Sequence, residues 1–444
     1  MHPTLLRFAL GSGFDPSAVF SALYGDRDDV FWLDSGADGT SYLGAGAPVE
    51  VDAGTVWEVL RGVADGAVAA DDGAPAFRLG LVGWLGYELR AQTTGAVVTR
   101  PSRYPDAAFL RVDRAIAIDG ATGQAELLAL GDAWEGELAD WRDEVRQLVA
   151  GAPAPAPRPP VPAPAHWHET DAEYLANIEA CQSAIREGEA YQLCLTTEAA
   201  VAGSFDPLDV YLRLRASSPT HHGGLIRIGS VSLLSASPER FLDIDPDRLV
   251  RTRPIKGTRP RAAEPAADAE LAAELLASEK ERAENLMIVD LMRNDLARVC
   301  ELGTVTVTEL LEVESYAQVH QLVSTVTGRL AAGRTAVDAI EACFPAGSMT
   351  GAPKLRATQV LDGLERRARG LYAGCFGYLG VDGRVDLAMT IRSIVLDERG
   401  ATVGAGGGIT ALSVPVEELA EAKLKAAALL AALGVSEPGT PTAA

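Results

Sequence analysis

Residues 264–300, EPAADAELAAELLASEKERAENLMIVDLMRNDLARVC, form the longest helical pattern of the chain. Apolar residues such as Ile288, Val289 and Met292 recur in it at helical spacing, and we expect one interruption along its length. Many of the segments around it have the composition of strands, as in FWLDSGADGTSYLG at 31–44. The order of strands and helices lacks the regular βαβ rhythm of a Rossmann or barrel protein. The sequence therefore predicts an α+β fold, a layered α/β sandwich of antiparallel sheets flanked by helices.

Two pairs of glutamates lie on predicted helices. Glu281 and Glu284 belong to the long helical pattern, and Glu418 and Glu421 to a C-terminal helix that follows the strand and glycine-rich turn at 400–412. A helix places residues three apart on one face. Both pairs could converge on one hard cation through oxygen ligands. Ordinary acidic helix surface is the other interpretation that these residues allow.

A cation-rich segment, VRTRPIKGTRPR at 250–261, carries five basic residues and no acid in a chain whose net charge is −22. Lys256 has Arg253 and Arg259 close in sequence, and neighbouring positive charge lowers the pKa of a lysine. A lysine with a free amine is a nucleophile. A basic surface loop remains the alternative interpretation.

Composition limits the partners and the compartment. The chain has 444 residues, of which 48% are hydrophobic, enough for a sizeable core. Its negative charge argues against nucleic acid or anionic membrane as a partner. The five cysteines are scattered and form no CxxC, which argues against a disulfide framework or a zinc site and favours a reducing cytoplasm. We also expect no signal peptide and no membrane span, because no run approaches the roughly 18 apolar residues needed.

A proline-alternating stretch divides the sequence. Residues 150–165, AGAPAPAPRPPVPAPA, are expected to form an extended linker or crossing loop. Residues 1–149 before it have a mostly β pattern, in which FRLGLVGWLGYELR at 77–90 is expected to form a pair of strands with closely packed glycines.

Nine motifs resemble, in order and spacing, the chorismate-utilising enzymes, a family that includes anthranilate, aminodeoxychorismate, isochorismate and salicylate synthases. The resemblance covers roughly 166–434, which implies a chorismate-binding catalytic domain there and a disordered tail at 435–444. FWLDSG and FRLGLVGWLGY in 1–149 resemble the N-terminal region of the first two members. The motifs are GEAYQLCLT (188–196), SPERF (237–241), RPIKGTRPR (253–261), EKERAENLMIVDLMRNDLARVC (279–300), VHQLVSTVTGRL (319–330), FPAGSMTGAPK (344–354), GLYAGCFGYLG (370–380), MTIRS (389–393) and GAGGGI (404–409).

Two positions distinguish branches of this family. Gln192 stands where isochorismate and salicylate synthases have a lysine that activates water, and a neutral amide cannot act as that base. Lys256 stands where anthranilate synthases usually have alanine, and lysine there resembles the branch that forms 4-amino-4-deoxychorismate. The resemblance then implies that Lys256 attacks ring carbon 2 of chorismate while Glu239 protonates the leaving hydroxide. Ammonia displaces the lysine by attack at carbon 4.

The resemblance also assigns the residues around the substrate. Mg²⁺ is the implied cofactor, with Glu284 and Glu421 as its strongest ligands and Glu281 and Glu418 as direct or water-mediated partners. The implied substrate-binding residues are Tyr372 and Arg392 on the enolpyruvyl carboxylate, the backbone of Gly406 and Gly408 on the same anion, and Gln192, Thr350 and Lys354. His320 is implied as a catalytic residue beside the substrate ring, and a core or hydrogen-bonding role is the alternative. Lys354 and Lys425 resemble supports of the anion or of the metal shell, and a structural role is the alternative for both.

Some positions depart from the family pattern. Leu412 stands where an aspartate is common, and SSPTHHGG at 217–224 replaces a loop of the type NPxPY. Ser35 and Tyr42 match a region that contacts tryptophan in relatives, which implies a possible amino-acid pocket.

The nitrogen source and the competing functions complete the sequence-based expectations. No glutaminase motif is present, so we expect ammonia from a separate glutamine amidotransferase subunit. The alternative enzyme is anthranilate synthase component I, which would release pyruvate. A catalytically silent chorismate- or amino-acid-binding regulator is a third hypothesis, which the joint presence of Lys256 and Glu239 argues against because a binding protein needs no general acid. Folate synthesis through 4-aminobenzoate and a specialised pathway both stay open as destinations of the product.

Overall fold

The structure is a computed structural model that describes residues 4–64, 74–316 and 319–435. Within these residues the strands are β1 (Thr4–Gly11), β2 (Val30–Asp34), β3 (Thr40–Ala45), β4 (Ala47–Pro48), β5 (Gly80–Leu85), β6 (Ala107–Val112), β7 (Arg114–Asp119), β8 (Ala125–Gly131), β9 (His166–Trp167), β10 (Gln192–Ala202), β11 (His222–Ile228), β12 (Val231–Ser237), β13 (Arg240–Ile244), β14 (Leu249–Thr252), β15 (Ile255–Pro260), β16 (Thr306–Ser315), β17 (Val319–Arg329), β18 (Gly351–Ala352), β19 (Cys375–Gly380), β20 (Val385–Met389), β21 (Ser393–Asp397) and β22 (Gly400–Ile409). The α-helices are α1 (Pro16–Tyr24), α2 (Val56–Ala64), α3 (Arg90–Thr94), α4 (Glu137–Val149), α5 (Asp171–Arg186), α6 (Pro207–Ser217), α7 (Pro265–Ala277), α8 (Glu279–Ala297), α9 (Ala336–Cys343), α10 (Lys354–Glu365) and α11 (Pro415–Ala432), and Tyr87–Leu89 and Gly347–Met349 form 3₁₀ turns.

The strands form two large antiparallel sheets. Sheet A has the order β1-β8-β7-β3-β2-β11-β12-β21-β22-β10-β18, and β9 also pairs with β10. Sheet B has the order β15-β17-β14-β13-β20-β19-β5-β6-β4, and β16 also pairs with β17. Each pairing between neighbouring strands is antiparallel, as in the β10 and β22 ladder and the β19 and β5 ladder.

Apolar side chains from both sheets meet in a shared core. Phe31 and Ile226 of sheet A and Trp84 and Phe376 of sheet B belong to one buried cluster. Helices α1, α4, α6 and α11 contribute to a second cluster on sheet A, and α2, α8 and α9 contribute to a third on sheet B. Burial of these apolar faces drives the layering, because each sheet has one face toward the other sheet and one toward helices. The predicted α+β sandwich of antiparallel sheets is confirmed.

The long helical pattern at 264–300 folds as two helices, α7 and α8. The break falls at Ser278, whose hydroxyl accepts a hydrogen bond from the backbone N–H of Glu281 at 3.4 Å and so caps α8. At the start of α7, the Glu264 carboxylate accepts from the N–H of Ala267, and Pro265 occupies the first turn. The expected interruption is therefore present, and it orients α8 independently of α7.

Both sheets contain strands from before and from after residues 150–165. Strand β2, before this stretch, pairs with β11 after it, and β5 pairs with β19. The stretch itself contains neither strand nor helix, and Arg158 forms ion pairs with Asp206 and Asp209 at the start of α6. The boundaries 1–149 and 166–434 stay predictions about sequence organisation, since both parts build the same sheets. Of the predicted tail, only Val435 belongs to the described residues, and it packs against the core of sheet A.

One local prediction is wrong. Residues 77–90 form a single strand, β5, and then turn into a 3₁₀ turn and α3 rather than into a second strand. Strand β5 is buried along its whole length because it lies between β19 and β6 in the middle of sheet B. The apolar residues of a fully buried strand do not alternate with polar ones, and such a run does not show where the strand ends. Among the helices of the described ranges, none combines the length and the hydropathy that crossing a membrane requires.

Candidate active site

A cavity of about 670 Å³ lies where β10 and β22 of sheet A approach β15 of sheet B. Helices α8 and α11 close it from the side. Most of the residues expected at the site line this cavity, and these are Lys256, Glu239, Tyr372, Arg392, Gly406, Gly408, Glu281, Glu284, Glu418 and Glu421. The two glutamate pairs come from α8 and α11, which stand on the same side of the cavity although they are far apart in sequence.

Glu239 is a buried carboxyl group in the turn between β12 and β13. Only 7% of the residue is exposed, and burial raises its pKa to about 7, although Lys256, Ser348 and Lys425 lower it in part. The backbone carbonyl of Glu239 accepts a hydrogen bond from the N–H of Met389 at 3.0 Å, which fixes the turn. A carboxyl with this pKa is about half protonated at neutral pH and can donate a proton.

Lys256 lies on β15 and faces acids rather than other cations. Burial lowers its pKa, but Glu284, Cys194, Glu239 and Glu421 outweigh that effect and leave the pKa above its ordinary value. The two arginines beside it in sequence are turned to other partners, Arg253 to Glu314 and Arg259 to Glu274. The expectation that neighbouring arginines lower the pKa of Lys256 is therefore wrong, because the carboxylates around the amine dominate. Arg259 lines the same cavity, but it is itself paired with Glu274 and Glu281.

The four carboxylates offer the oxygen donors that a hard divalent cation prefers. Burial and the nearby Glu281 and Glu418 raise the pKa of Glu284, even though Lys256 and Lys280 lower it. Two carboxylates are engaged by lysines: Lys280 Nζ lies 3.0 Å from Glu418 Oε1, and Lys425 Nζ lies 2.7 Å from Glu421 Oε1. In the parts of the chain that the structure describes, no three acidic, histidine or cysteine residues are grouped as a metal site. The donor types fit Mg²⁺, whereas in this arrangement three of the four carboxylates already have an internal cation, since Arg259 Nη1 also lies 3.7 Å from Glu281 Oε1.

Arg392 and Tyr372 form the end of the cavity that suits an anion. The Arg392 side chain is exposed, and it has no ion-pair partner among the described residues. Its backbone φ of +49° lies in the left-handed region, which non-glycine residues rarely adopt. A guanidinium without a protein partner at a cavity wall can bind a carboxylate through two parallel hydrogen bonds. Burial raises the pKa of Tyr372 well above its ordinary range, so the ring carries a neutral hydroxyl.

The glycines of β22 accommodate protein side chains. A Cβ on Gly408 would lie 2.0 Å from Gln192 Nε2, and a Cβ on Gly404 would lie 2.2 Å from the Tyr372 ring. These side chains therefore pack directly on the β22 backbone. Gln192 does not line the cavity, and its Oε1 has no hydrogen-bond partner among the described residues. Gly406 and Gly408 both line the cavity, so contact between their backbone and a substrate anion stays a prediction. A Cβ on Gly406 would also lie 2.2 Å from the carbonyl oxygen of Leu195, so glycine there lets β10 approach β22.

Three other expected residues point away from the cavity. His320 is buried on the opposite face of β17, where its Nε2 lies 2.9 Å from Asp268 Oδ1 and its Nδ1 lies 2.8 Å from Ser315 Oγ. The expectation that it lies beside the substrate is corrected, because side chains alternate along a strand and Val319 and Gln321 face the cavity instead.

The remaining two supports have structural contacts. Thr350 Oγ1 donates to the carbonyl of Ala346 at 3.1 Å, and Lys354 Nζ lies 2.6 Å from Asp295 Oδ2 and 3.0 Å from the carbonyl of Cys343. Neither lines the cavity. Sequence reasoning missed Lys280, Gln321 and Ser348, which do line it. Their signal was available in the motifs, since Lys280 and Gln321 are adjacent to chosen residues and Ser348 lies two residues before Thr350.

A second cavity of about 240 Å³ contains Ser35 and Tyr42, the expected amino-acid pocket. Tyr42 Oη accepts a hydrogen bond from the N–H of Phe77 at 3.2 Å. The departing loop 217–224 supplies His221 and His222 to the same wall. Burial lowers the pKa of His222 to about 3, so its ring is neutral at physiological pH. Leu412, the other departure, is 80% exposed and lines neither of these two cavities.

Comparison with known proteins gives consistent results. A family model described as chorismate binding enzyme matches residues 28–431. An aminodeoxychorismate synthase of Streptomyces pristinaespiralis is 43% identical over 96% of this chain and 64% of its own length. An anthranilate synthase component 1 of Streptomyces coelicolor is 37% identical over 96% of this chain and 88% of its own length. The crystal structure of anthranilate synthase component I from Streptococcus pneumoniae superposes with a TM-score of 0.74 at 27% identity, over 97% of this chain and 92% of that one.

The lengths of these relatives differ from that of this chain. The chain spans 64% of the length of the aminodeoxychorismate synthases from Streptomyces pristinaespiralis and Streptomyces griseus. It spans most of the anthranilate synthase component 1. The family is shared by all of them.

Proposed function

The chain belongs to the chorismate-binding enzyme family, and from that premise we propose that it converts chorismate and ammonia to 4-amino-4-deoxychorismate and water. The observation that carries this proposal is that one cavity contains both Lys256 and a carboxyl group, Glu239, whose pKa burial raises to about 7. A nucleophilic amine and a general acid are the two groups that the reaction needs. The likeness to aminodeoxychorismate synthases over most of this chain supports the same choice.

In the first stage the unprotonated amine of Lys256 attacks ring carbon 2 of chorismate. The ring double bond shifts, the bond from carbon 4 to its hydroxyl oxygen breaks, and Glu239 gives its proton to the departing hydroxide, which leaves as water. Without this proton transfer hydroxide is a poor leaving group. The burial of this carboxyl in a turn held by the neighbouring strand supports the proposed role.

In the second stage ammonia attacks carbon 4 and the bond between carbon 2 and the lysine nitrogen breaks. Lys256 leaves as a free amine, and the proton that the new amine sheds restores Glu239. Arg392, with no ion-pair partner among the described residues, is proposed to hold the enolpyruvyl carboxylate together with Tyr372, which lines the same cavity. Holding the substrate against Lys256 in this way makes the attack of the lysine effectively unimolecular.

Mg²⁺ is proposed as the cofactor, held by Glu284 and Glu421 with Glu281 and Glu418 as partners. When bound, it would supply positive charge beside these side chains and offset the negative charge that raises the pKa of Lys256. Lys280 and Lys425 would then have to leave Glu418 and Glu421, or share them with the ion.

A glutamine amidotransferase is the proposed source of ammonia, and a reducing cytoplasm is the proposed location. Without the glutamine amidotransferase, a high concentration of ammonium at alkaline pH should support turnover. Whether the product serves folate synthesis or another pathway depends on the enzyme that consumes it.

Product analysis tests the proposal. The protein is incubated with chorismate, Mg²⁺ and ammonium, and the products are separated by chromatography alongside a pyruvate assay. We expect an amino product without pyruvate, and at least a hundredfold slower formation by Lys256→Ala, in which the nucleophile is missing. Lys423→Ala, an exposed lysine paired with Asp171, is the control and should retain the wild-type rate.

Anthranilate synthase activity is the second candidate, because the Streptomyces coelicolor and Streptococcus pneumoniae relatives carry that name. Anthranilate together with an equal amount of pyruvate from the wild-type protein would establish it. That result would exclude the lysine-adduct route proposed above.

A further inference from the structure

A cluster of buried charges, here called the ion cluster, lies beside the cavity without lining it. It joins the 3₁₀ turn Tyr87–Leu89 and α3 to the end of α10 and the segment that follows. Its members are three acids and three bases, so its formal charge is zero: Glu88, Asp362, Glu365, Arg90, Arg367 and Arg369. The reaction proposed above uses none of these residues.

Arg369 is the member in contact with the cavity wall. It is 2% exposed, and its guanidinium donates to the backbone carbonyl of Met349 at 2.6 Å and to that of Cys194 at 2.8 Å. Both Met349 and Cys194 line the cavity. Cys194 lies on β10, whereas Met349 ends the 3₁₀ turn Gly347–Met349. One side chain therefore ties together two separate segments of the wall.

The remaining donors of Arg369 are also satisfied. Its Nε and Nη2 contact the two carboxylate oxygens of Glu365 at 2.8 and 2.6 Å, and the guanidinium carbon lies 4.3 Å from the centre of the Tyr87 ring. Glu365 in turn accepts from both the N–H and the hydroxyl of Thr196, at 2.9 Å each. These contacts leave the guanidinium a single orientation, since a planar fork can meet two carbonyls and a carboxylate at once only in one geometry.

Glu88 holds the same segment from the other side. Its carboxylate accepts from the backbone N–H of Arg369 at 3.0 Å and of Gly370 at 2.9 Å. It lies in the part of the sequence before residue 150, and Tyr372, at the cavity wall, follows two residues after Gly370. A contact from the N-terminal part of the chain thus fixes the start of the segment that carries a substrate-contacting residue.

We propose that Arg369 is a positioning residue for the reaction in the cavity, and that Glu88 braces it. Arg369 sets the distance between the Cys194 and Met349 segments, and Ser348 beside Met349 lines the cavity near Glu239, the proton donor. A displacement of about 1 Å in such a wall can reduce a rate by up to a hundredfold. The inference rests on the proposed function for its kinetic assay only.

The kinetic signature separates positioning from binding. Arg369 does not contact Arg392 or any of the four cavity glutamates, so substrate affinity should survive its replacement. Lysine keeps the positive charge next to Glu365 but has no planar fork, and it cannot meet both carbonyls. We expect Arg369→Lys to lower kcat by about ten- to hundredfold and to leave KM for chorismate within about twofold.

A second measurement does not depend on which reaction is catalysed. The N–H of Cys194 donates to the carbonyl of Thr350 at 2.8 Å, across the two segments that Arg369 joins. Loosening them should accelerate amide hydrogen exchange in 192–196 and 347–352 of Arg369→Lys, measured by mass spectrometry. Glu88→Gln should change kcat and exchange in the same direction by a smaller factor, because an amide can accept at only one of its two ends.

The matched control is Arg356→Lys, an exposed arginine of α10 that pairs with Glu189 and contacts no cavity-lining residue. It should match the wild type in kcat and in exchange. The inference is overturned if Arg369→Lys retains the wild-type kcat, if its loss appears in KM instead, or if exchange in both segments is unchanged. If Arg369→Lys does not fold, Glu88→Gln decides by the same two readouts. If the wild type forms no amino product, the proposed function fails, and the exchange data alone support or overturn the positioning role.

Discussion

The cavity and the ion cluster each bury a glutamate, and the two carboxyl groups behave in opposite ways. Glu239 is 7% exposed and Glu365 is 3% exposed. Burial raises the pKa of Glu239 to about 7. Burial acts on Glu365 in the same direction, but Arg369 and Arg367 outweigh it and hold the pKa of Glu365 below its ordinary value.

The difference arises from hydrogen-bond satisfaction rather than from depth. Glu365 meets a guanidinium with both oxygens, and Thr196 donates to it twice. Glu239 has cations at longer range but no ion pair in the described part of the chain. Glu365, which meets a guanidinium with both oxygens, therefore stays charged. Glu88 of the ion cluster has only a 3.3 Å ion pair with Arg90, and burial raises its pKa to about 7 as it does for Glu239. Of these two carboxyl groups only Glu239 lines the cavity, where it can transfer its proton. Four predictions test this comparison.

The largest effect is expected from Glu239→Gln. The amide keeps the shape but has no proton to transfer, so kcat should fall by about 10²- to 10⁴-fold. KM for chorismate should change little, because Arg392 and the four glutamates remain. Steady-state kinetics with ammonium provides the measurement, and wild-type kcat in the variant would show that another group is the acid.

The opposite substitution, Glu365→Gln, should affect stability first. It leaves Arg369 buried without its counter-charge, and breaking a buried pair by removing one partner costs about 3–5 kcal/mol. Denaturant unfolding monitored by tryptophan fluorescence gives the free energy of unfolding. Glu189→Gln removes the partner of exposed Arg356 and is the control, with an expected cost of about 0.5 kcal/mol or less. Equal costs in both variants would contradict the comparison.

The pH dependence of stability should separate the two carboxyl groups. Because its folded pKa of about 7 exceeds the ordinary 4.5, Glu239 contributes stability that is complete below pH 4.5 and lost as pH rises through 7. Relative to Glu239→Gln, the wild type should therefore lose about 3 kcal/mol between pH 4.5 and 8. Glu365, with a lowered pKa, should lose its contribution at low pH instead. Unfolding curves of the wild type and of Glu239→Gln across this pH range test the direction of the change. A difference in their free energies of unfolding that stays constant with pH would contradict the prediction.

The smallest effect concerns the rim of the cavity, where pairing is partial. Lys280 is 39% exposed at its side chain and pairs with Glu418 at 3.0 Å. Lys280→Gln should free this carboxylate and tighten Mg²⁺ binding by about two- to fivefold, the value of an ion pair near the surface. Titration calorimetry without substrate measures the affinity. Lys423→Gln is the control, and an equal or weaker affinity in Lys280→Gln would show that the lysine does not compete with the ion.

The fold class and most cavity residues could be predicted from the sequence, because each motif that identifies them is a short stretch of consecutive residues. The spacing of Glu281 and Glu284 on a helix, and the acid next to a proline in SPERF, needed no tertiary information. The prediction that His320 lies beside the substrate was wrong, because the motif does not reveal which face of β17 meets the cavity. The prediction that nearby arginines lower the pKa of Lys256 was wrong for a related reason, since the acids Glu284 and Glu421 that raise this pKa come from α8 and α11, far away in sequence.

The ion cluster could not be predicted from the sequence for a different reason. Glu365 and Arg369 are four residues apart, a spacing typical of exposed helix pairs worth a few tenths of a kcal/mol. Only the tertiary contacts with Glu88 and with the carbonyl of Cys194 show that this pair is buried. Their partners lie on segments that no local pattern connects.

The interleaving of strands across residues 150–165 also has a consequence for synthesis of the chain. Strand β5 can pair early with β6 and β2 with β3, but their other partners, β19 and β11, are synthesised much later. Pairings so distant in sequence raise the contact order and slow folding, and they leave apolar strands exposed in the meantime. We therefore expect residues 1–149 to expose apolar strand edges during synthesis until the later strands arrive.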